Sequence, residues 1–202
     1  MLSKKQIKYM VLKRTIDIFG SLFGIALLSP LLLIVTIVTA ITSHGGPFFV
    51  QKRLGRNEEV FKLTKFRSMK ANAAQIPPED MTIAQQQAMV TKWGHFIRKT
   101  SIDEIPQLFN ILKGDMSFIG PRPSQTKEYE NELVMARESF IPTAYEVKPG
   151  LSGYAQIRMK RSHEIEEKAR EDSYYVRHMS FWLDTKIFFY SFFMAFGIVK
   201  GR

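Results

Sequence analysis

The chain has 202 residues, a hydrophobic fraction of 45% and a formal net charge of +10 at pH 7. That length supports one domain with a sizeable core, and the charge favours anionic partners such as acidic lipid, phosphorylated metabolites or nucleic acid. With no cysteine, disulfides, thiolate metal sites and cysteine nucleophiles are excluded, and the four histidines show no metal-ligand spacing.

Residues 18–43 carry no formal charge, a run long enough to cross a bilayer as a helix. A cleaved signal peptide fits poorly, because the run is too long and lacks a small-residue cleavage site. Two features separate it from an ordinary span. Pro30, preceded by Ser29, sits mid-run; it cannot donate to the Ala26 carbonyl, so a kink is expected, with Ser29 helping to satisfy the freed backbone. Gly20 and Gly24 add pliability to the first half. Basic residues flank both ends: Lys4, Lys5, Lys8, Lys13 and Arg14 before, and Lys52, Arg53, Arg56, Lys62, Lys65, Arg67 and Lys70 after. Both flanks are therefore expected on the cytoplasmic side, which favours a re-entrant helix broken at Ser29-Pro30 over a straight span.

A turn at His44-Gly45-Gly46-Pro47 ends this helix, and residues 48–53 and 60–67 read as two short strands joined by a loop at Leu54-Gly55-Arg56-Asn57. The second arm interleaves Phe61 and Phe66 with Lys62, Lys65 and Arg67. That pattern suits either nucleic acid or an amphipathic strand at an anionic membrane, and its place directly after a membrane helix favours the membrane. Residues 75–80 read as a loop, and residues 81–98 as a helix burying Ile83, Val90, Trp93 and Ile97. Arg98 at its end is either a partner of the helix dipole or a phosphate ligand brought near Asp103.

The stretch 99–123, KTSIDEIPQLFNILKGDMSFIGPRP, carries the chemistry. Asp103 and Glu104 are expected at a helix start, with either Ser101 in a capping box with Glu104 or Asp103 itself as the cap. Lys113-Gly114 closes that helix. Carboxylates at a helix start are most often caps. Here Pro121-Arg122-Pro123 follows closely, a stiffened backbone around a guanidinium suited to bidentate phosphate recognition. The basic surroundings are expected to lower a carboxylate's pKa, and an ionised carboxylate near a cation or Mg²⁺ can attack phosphorus to give an acyl phosphate.

Residues 127–140 read as a helix, residues 151–157 as a short irregular or extended segment after a Pro149-Gly150 turn, and residues 162–175 as a charged, solvated helix. Asp172, beside Tyr174-Tyr175, is a further site candidate. Residues 187–199 are uncharged and rich in phenylalanine, too short to span a bilayer, and read as a helix lying at the interface or, alternatively, in the core.

Six motifs together resemble the bacterial sugar transferases, the small monotopic phosphoglycosyl transferases that act on polyprenyl phosphate: KRTID (13–17), the Ser29-Pro30 break, KFRSM (65–69), the block 101–123, VKPGLSGYAQ (147–156) and YYVRHMSFWLDTKI (174–187). They cover nearly the whole chain in family order. The resemblance implies an α-rich α+β, membrane-associated monotopic domain on the cytoplasmic face of the bacterial inner membrane. Residues 1–46 would form the re-entrant helix and residues 47–202 the catalytic domain, with interfacial amphipathic helices. It implies transfer of a sugar phosphate from a nucleotide diphosphate sugar, usually a UDP-sugar, to undecaprenyl phosphate, releasing UMP, with Mg²⁺ as cofactor and no nucleic acid as partner. By the same resemblance Asp103 is the nucleophile and a Mg²⁺ contact, Glu104 assists, and Arg122 holds phosphate, with Lys65 and Arg98 as further candidates. Where relatives carry Asn-Gly-Arg after the Ala-Gln pair, this chain has Ile157-Arg158-Met159-Lys160-Arg161, so Arg158 or Arg161 takes the place of the family arginine. The rival reading is a membrane-tethered, non-enzymatic module binding acidic lipid or nucleic acid, which explains the charge but not the carboxylate pair followed by Pro-Arg-Pro. A lipid-phosphate hydrolase is a second enzymatic alternative.

Overall fold

The computed structural model describes residues 2–43, 45–70, 88–159 and 164–195. Helix α1 (Lys4–Ser43) is followed by strands β1 (Phe48–Leu54) and β2 (Val60–Phe66), helix α2 (Lys92–Lys99), a single 3-10 turn (Ile102–Glu104) and helix α3 (Gln107–Lys113). Then come β3 (Ser117–Ile119), α4 (Lys127–Glu138), β4 (Gly150–Ser152), α5 (Tyr154–Arg158), α6 (Ile165–His178) and α7 (Phe181–Ala195). The fold is α-rich α+β. Strands β1 and β2 form an antiparallel hairpin in register from Phe48↔Phe66 to Leu54↔Val60, while β3 and β4 pair in parallel, Ser117 opposite Gly150.

Helix α1 continues through Pro30 as one hydrogen-bonded element of 40 residues, about 60 Å of contour at 1.5 Å per residue. Ser29 Oγ donates to the Ala26 carbonyl at 2.8 Å, the oxygen that Pro30 leaves without its usual partner. Ser21, Thr36 and Thr42 likewise return their hydroxyls to carbonyls of the preceding turn, so the apolar run carries few unsatisfied polar groups.

One side of α1 lies on the rest of the chain along its length. Gln6 donates to the Val176 carbonyl at one end, and Trp93 Nε1 donates to Thr39 at the other. Between them, Ile25 and Leu28 pack against Leu108 and Phe61, and Val35 is buried with Phe66 and Ile97. Gly20 and Gly24 serve this close approach rather than pliability: a Cβ at Gly20 would meet the Phe118 ring at 2.8 Å, and one at Gly24 would meet Leu108 at 3.2 Å. The opposite side exposes Val11, Phe19, Phe23, Leu27, Leu33 and Ile37.

The three charged residues of the KRTID motif fasten α1. Lys13 pairs with Asp184 of α7, which also accepts from Tyr9 and Tyr175. Arg14 donates to the carbonyls of Ile111 and Leu112 at 2.6 and 2.7 Å, satisfying the C-terminus of α3 together with Gly114. Asp17 accepts from Ser117 Oγ and the Phe118 amide, both at 3.0 Å.

Several expectations are corrected. In the expected helix 81–98, residues 81–87, including Ile83, lie outside the described residues; the remainder breaks at Val90, which bridges to Met69, and Thr91 caps α2 by accepting from Gly94 N at 2.8 Å. Phe61 and Phe66 pack into the core and offer no stacking surface. The segment after Ser152 turns helical at Tyr154, because Gly153 passes so close to the Gly120 carbonyl that a Cβ would meet it at 2.7 Å. Helix α6 is amphipathic rather than solvated, with Ala169, Asp172, Tyr175 and Val176 buried. Helix α7 starts at Phe181, ahead of the expected 187, because Asp184 and Ile187 face inward while Trp182, Phe188, Phe189 and Phe192 face out; residues 196–202 lie outside the described set.

Candidate active site

The carboxylate pair is built differently from a capping box. Ser101 adopts a left-handed conformation (φ 56°) and makes no side-chain cap; Ile102–Glu104 form one 3-10 turn, and Pro106 occupies the N-cap of α3. Ser101 lies just past the end of α2, where the chain must reverse into the turn, and a left-handed residue is the usual means of ending a helix this way. Neither carboxylate is spent on helix ends.

Glu104 is held instead by two cations. Its Oε1 accepts from Arg122 Nη2 at 3.1 Å and from Lys65 Nζ at 3.4 Å. Burial pushes its carboxyl up, but Arg122 and Lys65 pull harder, and it ends below the ordinary carboxylate range. Asp103 is 9% exposed and makes no ion pair among the described residues. Burial, then the neighbouring Glu104 charge, raise its pKa, opposed by Lys65 and Arg98. The expected lowering by basic surroundings thus holds for Glu104 and fails for Asp103, where desolvation wins.

Arg122 is placed by a strap of four residues, 121–124, whose successive carbonyls are all engaged. Pro121 O accepts from Gly150 N at 2.9 Å, Arg122 O from Arg137 Nη2 at 3.0 Å, Pro123 O from Arg53 Nη1 at 3.2 Å, and Ser124 O from Leu54 N at 3.0 Å. The prolines fix φ, and these four bonds fix the rest, so the guanidinium projects from a determined backbone. Arg137 is in turn paired with Asp172, both 1% exposed.

Asp172 is therefore two contacts behind the phosphate-type arginine and does not itself face the cleft. Burial raises its pKa, opposed by Arg137. Arg98 bonds Ser68 Oγ through Nε at 2.7 Å, and its charge reaches Asp103. Arg158 lies over the Tyr154 ring, 5.9 Å from its centroid, and is not among the contacts of Glu104; Arg161 lies outside the described residues. Three positions were not among the sequence candidates: Arg53, Arg137 and Asn110. Arg137 had a signal, since it falls three and four residues after Val134 and Leu133, a charge on the apolar stripe of α4. Asn110 had none; it inserts into β2, donating to Lys62 O at 2.7 Å and accepting from Thr64 N at 3.2 Å, and so sets α3 against Lys65.

Among the described residues no three His, Cys, Asp or Glu side chains gather in a metal-binding group. Magnesium at a phosphate site needs only one or two carboxylates, with substrate oxygens and water completing its shell. Asp103 is available for that role while Glu104 is held by Arg122 and Lys65, so the donor set fits a substrate-assisted magnesium ion.

An apolar helix is thus laid along an α+β domain that holds an unpaired carboxylate beside a braced arginine. The chain belongs to the bacterial sugar transferase family, whose profile matches residues 8–197. It is 38% identical over 188 residues to the UDP-N-acetylgalactosamine-undecaprenyl-phosphate N-acetylgalactosaminephosphotransferase of Aeromonas hydrophila, covering 90% of this chain and 43% of that protein. It is 37% identical over 194 residues to the UDP-glucose:undecaprenyl-phosphate glucose-1-phosphate transferase of Klebsiella pneumoniae, covering 93% and 40%. A putative undecaprenyl-phosphate N-acetylgalactosaminyl 1-phosphate transferase of Bacillus subtilis is 42% identical over 135 residues, 65% of this chain and 74% of that one. The chain spans less than half the length of the first two relatives.

Proposed function

We propose that this domain transfers a sugar phosphate from a UDP-sugar to undecaprenyl phosphate through a covalent intermediate on Asp103. The observation that carries the reading is the division of labour within the carboxylate pair: Glu104 is clamped by Arg122 and Lys65, and Asp103 is left beside them without an ion pair. An Asp103 oxygen attacks the sugar-bearing phosphorus, the bond from that phosphorus to the bridging oxygen breaks, and UMP leaves with the electron pair. A phosphate oxygen of undecaprenyl phosphate then attacks the same phosphorus and releases the Asp103 carboxylate. Lys65 and Arg122 hold the phosphoryl oxygens while charge shifts among them. Bound Mg²⁺, with Asp103 as its protein ligand, would supply Lewis-acid polarisation of the diphosphate.

The domain is proposed to sit on the cytoplasmic face of the bacterial inner membrane, with α1 re-entrant at Ser29-Pro30. Gln6 and Thr39, near the two ends of α1, bond to the same folded domain, which supports both ends lying on one side of the bilayer. Basic flanks at both ends and the outward aromatics of α7 support the same placement.

The test is UMP release from a panel of UDP-sugars by purified protein with Mg²⁺ and undecaprenyl phosphate, together with intact-mass detection of a phosphosugar adduct. Wild type is expected to turn over at least one donor and form the adduct. Asp103→Asn is expected to do neither while keeping its melting temperature within about 3 °C, since the buried Asp103 carboxylate has no ion pair among the described residues to lose and the amide keeps its shape. Lipid-dependent turnover by Asp103→Asn at the wild-type rate would refute the mechanism.

A further inference from the structure

A cleft opens beside the carboxylate pair, and its lining includes cations from three separate elements: Arg53 of β1, Lys65 of β2 and Arg122 of the strap, with Leu63, Gln107, Pro123 and Gly150 completing it. Lys65 and Arg122 share the one Glu104 carboxylate. Arg53 has no carboxylate within ion-pair distance among the described residues; its fixed partners are neutral, Pro123 O at 3.2 Å and Gln51 Oε1 at 2.7 Å, and its Nε is buried without a partner. Glu130 is close enough to act on Arg53 by charge, but its carboxylate accepts from the Gln125 amide at 2.7 Å. Burying a guanidinium beside two other cations costs free energy unless an anion compensates it. Two of the three cations share Glu104, while Arg53 keeps a buried Nε–H with no acceptor, a donor that a phosphate oxygen would satisfy.

We infer that Arg53, Lys65 and Arg122 form the seat of the phosphate that departs with the nucleotide, with Arg53 a ligand of that leaving phosphate. The inference rests on the reaction proposed above. In-line displacement sends the leaving oxygen away from the attacking carboxylate. The cleft extends from Arg122, which touches Glu104, to Arg53, which does not. When the bond between the two phosphorus atoms' shared oxygen and the sugar-bearing phosphorus breaks, the electron pair stays on that oxygen, now part of UMP. Arg53 and Arg122 offset the new charge, and no proton transfer is required. Arg53 also braces Pro123, so the same residue links strap position to nucleotide occupancy.

The experiment uses the full chain in nanodiscs and compares wild type with Arg53→Gln and Arg53→Lys. Affinities for UMP, inorganic pyrophosphate and uridine are measured by ligand-detected NMR, beside UMP product inhibition and melting temperature. Arg53→Gln is expected to weaken UMP and pyrophosphate by at least tenfold and to leave uridine within twofold. An unchanged UMP affinity, or equal loss of UMP and uridine, overturns the seat in favour of a purely structural Arg53. If Arg53→Gln does not fold, Arg53→Lys decides: a three- to tenfold loss for UMP alone supports the seat, and equal loss or none overturns it. Should wild type release no UMP from any UDP-sugar yet bind pyrophosphate in an Arg53-dependent way, the proposed reaction falls and the phosphate seat stands.

Discussion

Replacing Asp172 by alanine strands Arg137 as a charge that cannot be discharged. Arg137 is 1% exposed, donates to Asp172 through Nε at 3.0 Å, and spends its second nitrogen on both Asp172 and the Arg122 carbonyl. Removing one partner of a buried pair costs about 3–5 kcal/mol. At about 2–4 °C per kcal/mol for a chain of this size, the melting temperature should fall by roughly 6–20 °C. Arg137→Met should cost less, because the carboxyl left behind already has a raised pKa from burial and can take up a proton, whereas a guanidinium cannot lose one. The double variant Arg137→Met/Asp172→Ala removes both charges and should recover much of the Asp172→Ala loss. Differential scanning fluorimetry in detergent, with UMP release measured in parallel, closes the cycle. A fall of less than about 3 °C for Asp172→Ala, or strictly additive single and double variants, would refute the reasoning. Turnover by the double variant should stay low even where stability returns, since the Arg122 carbonyl has lost its donor.

Glu104, with its pKa held below the ordinary value of 4.5, contributes stability that is fully present above that value and is lost as the pH falls through its folded pKa. A pH series of melting temperatures should therefore show an acid limb below about pH 4.5 that Glu104→Gln flattens. Gly20→Val should overpack the contact with Phe118, where even a Cβ approaches to 2.8 Å, and cost about 1–3 kcal/mol by thermal unfolding; a neutral result would mean that α1 is free to move away. Trp182→Ser with Phe189→Ser should weaken sedimentation with anionic vesicles by about tenfold per residue, since both rings lie at least half exposed on the outer side of α7.

Long-range patterns proved legible in the sequence. Two short runs either side of the Leu54-Gly55-Arg56-Asn57 loop located the hairpin, and the Ser29-Pro30 pair anticipated the hydroxyl bond to Ala26. The carboxylate pair and Arg122 were nameable from residue type and order, and Lys65 joined them in space. Local rules misled at residues 101–106, where the capping-box pattern is present but Ser101 turns left-handed, so that Glu104 answers to Arg122 and Lys65 instead of to its own helix. Strands β3 and β4, three residues each, are too short for periodicity to reveal, and they exist because Gly120, Gly150 and Gly153 let backbones touch. Arg137 and Arg53 were hidden for a different reason. A charged side chain scores as surface in any composition argument, and only the partner, 35 residues on for Arg137 and 70 for Arg53, explains its burial.

The strap at residues 121–124 also has a temporal side. Its four acceptors draw on donors at positions 53–54, 137 and 150, and the donor at 137 is itself held by residue 172. During synthesis Asp103 emerges before the supports at positions 137, 150 and 172 do. A chain from which residues up to about 130 have emerged exposes Asp103 but cannot yet brace Arg122 through Arg137. The Arg122 backbone is therefore fully fixed only once α6 brings Asp172 to Arg137, so that under the proposed function an incomplete chain would be inert toward a nucleotide-sugar.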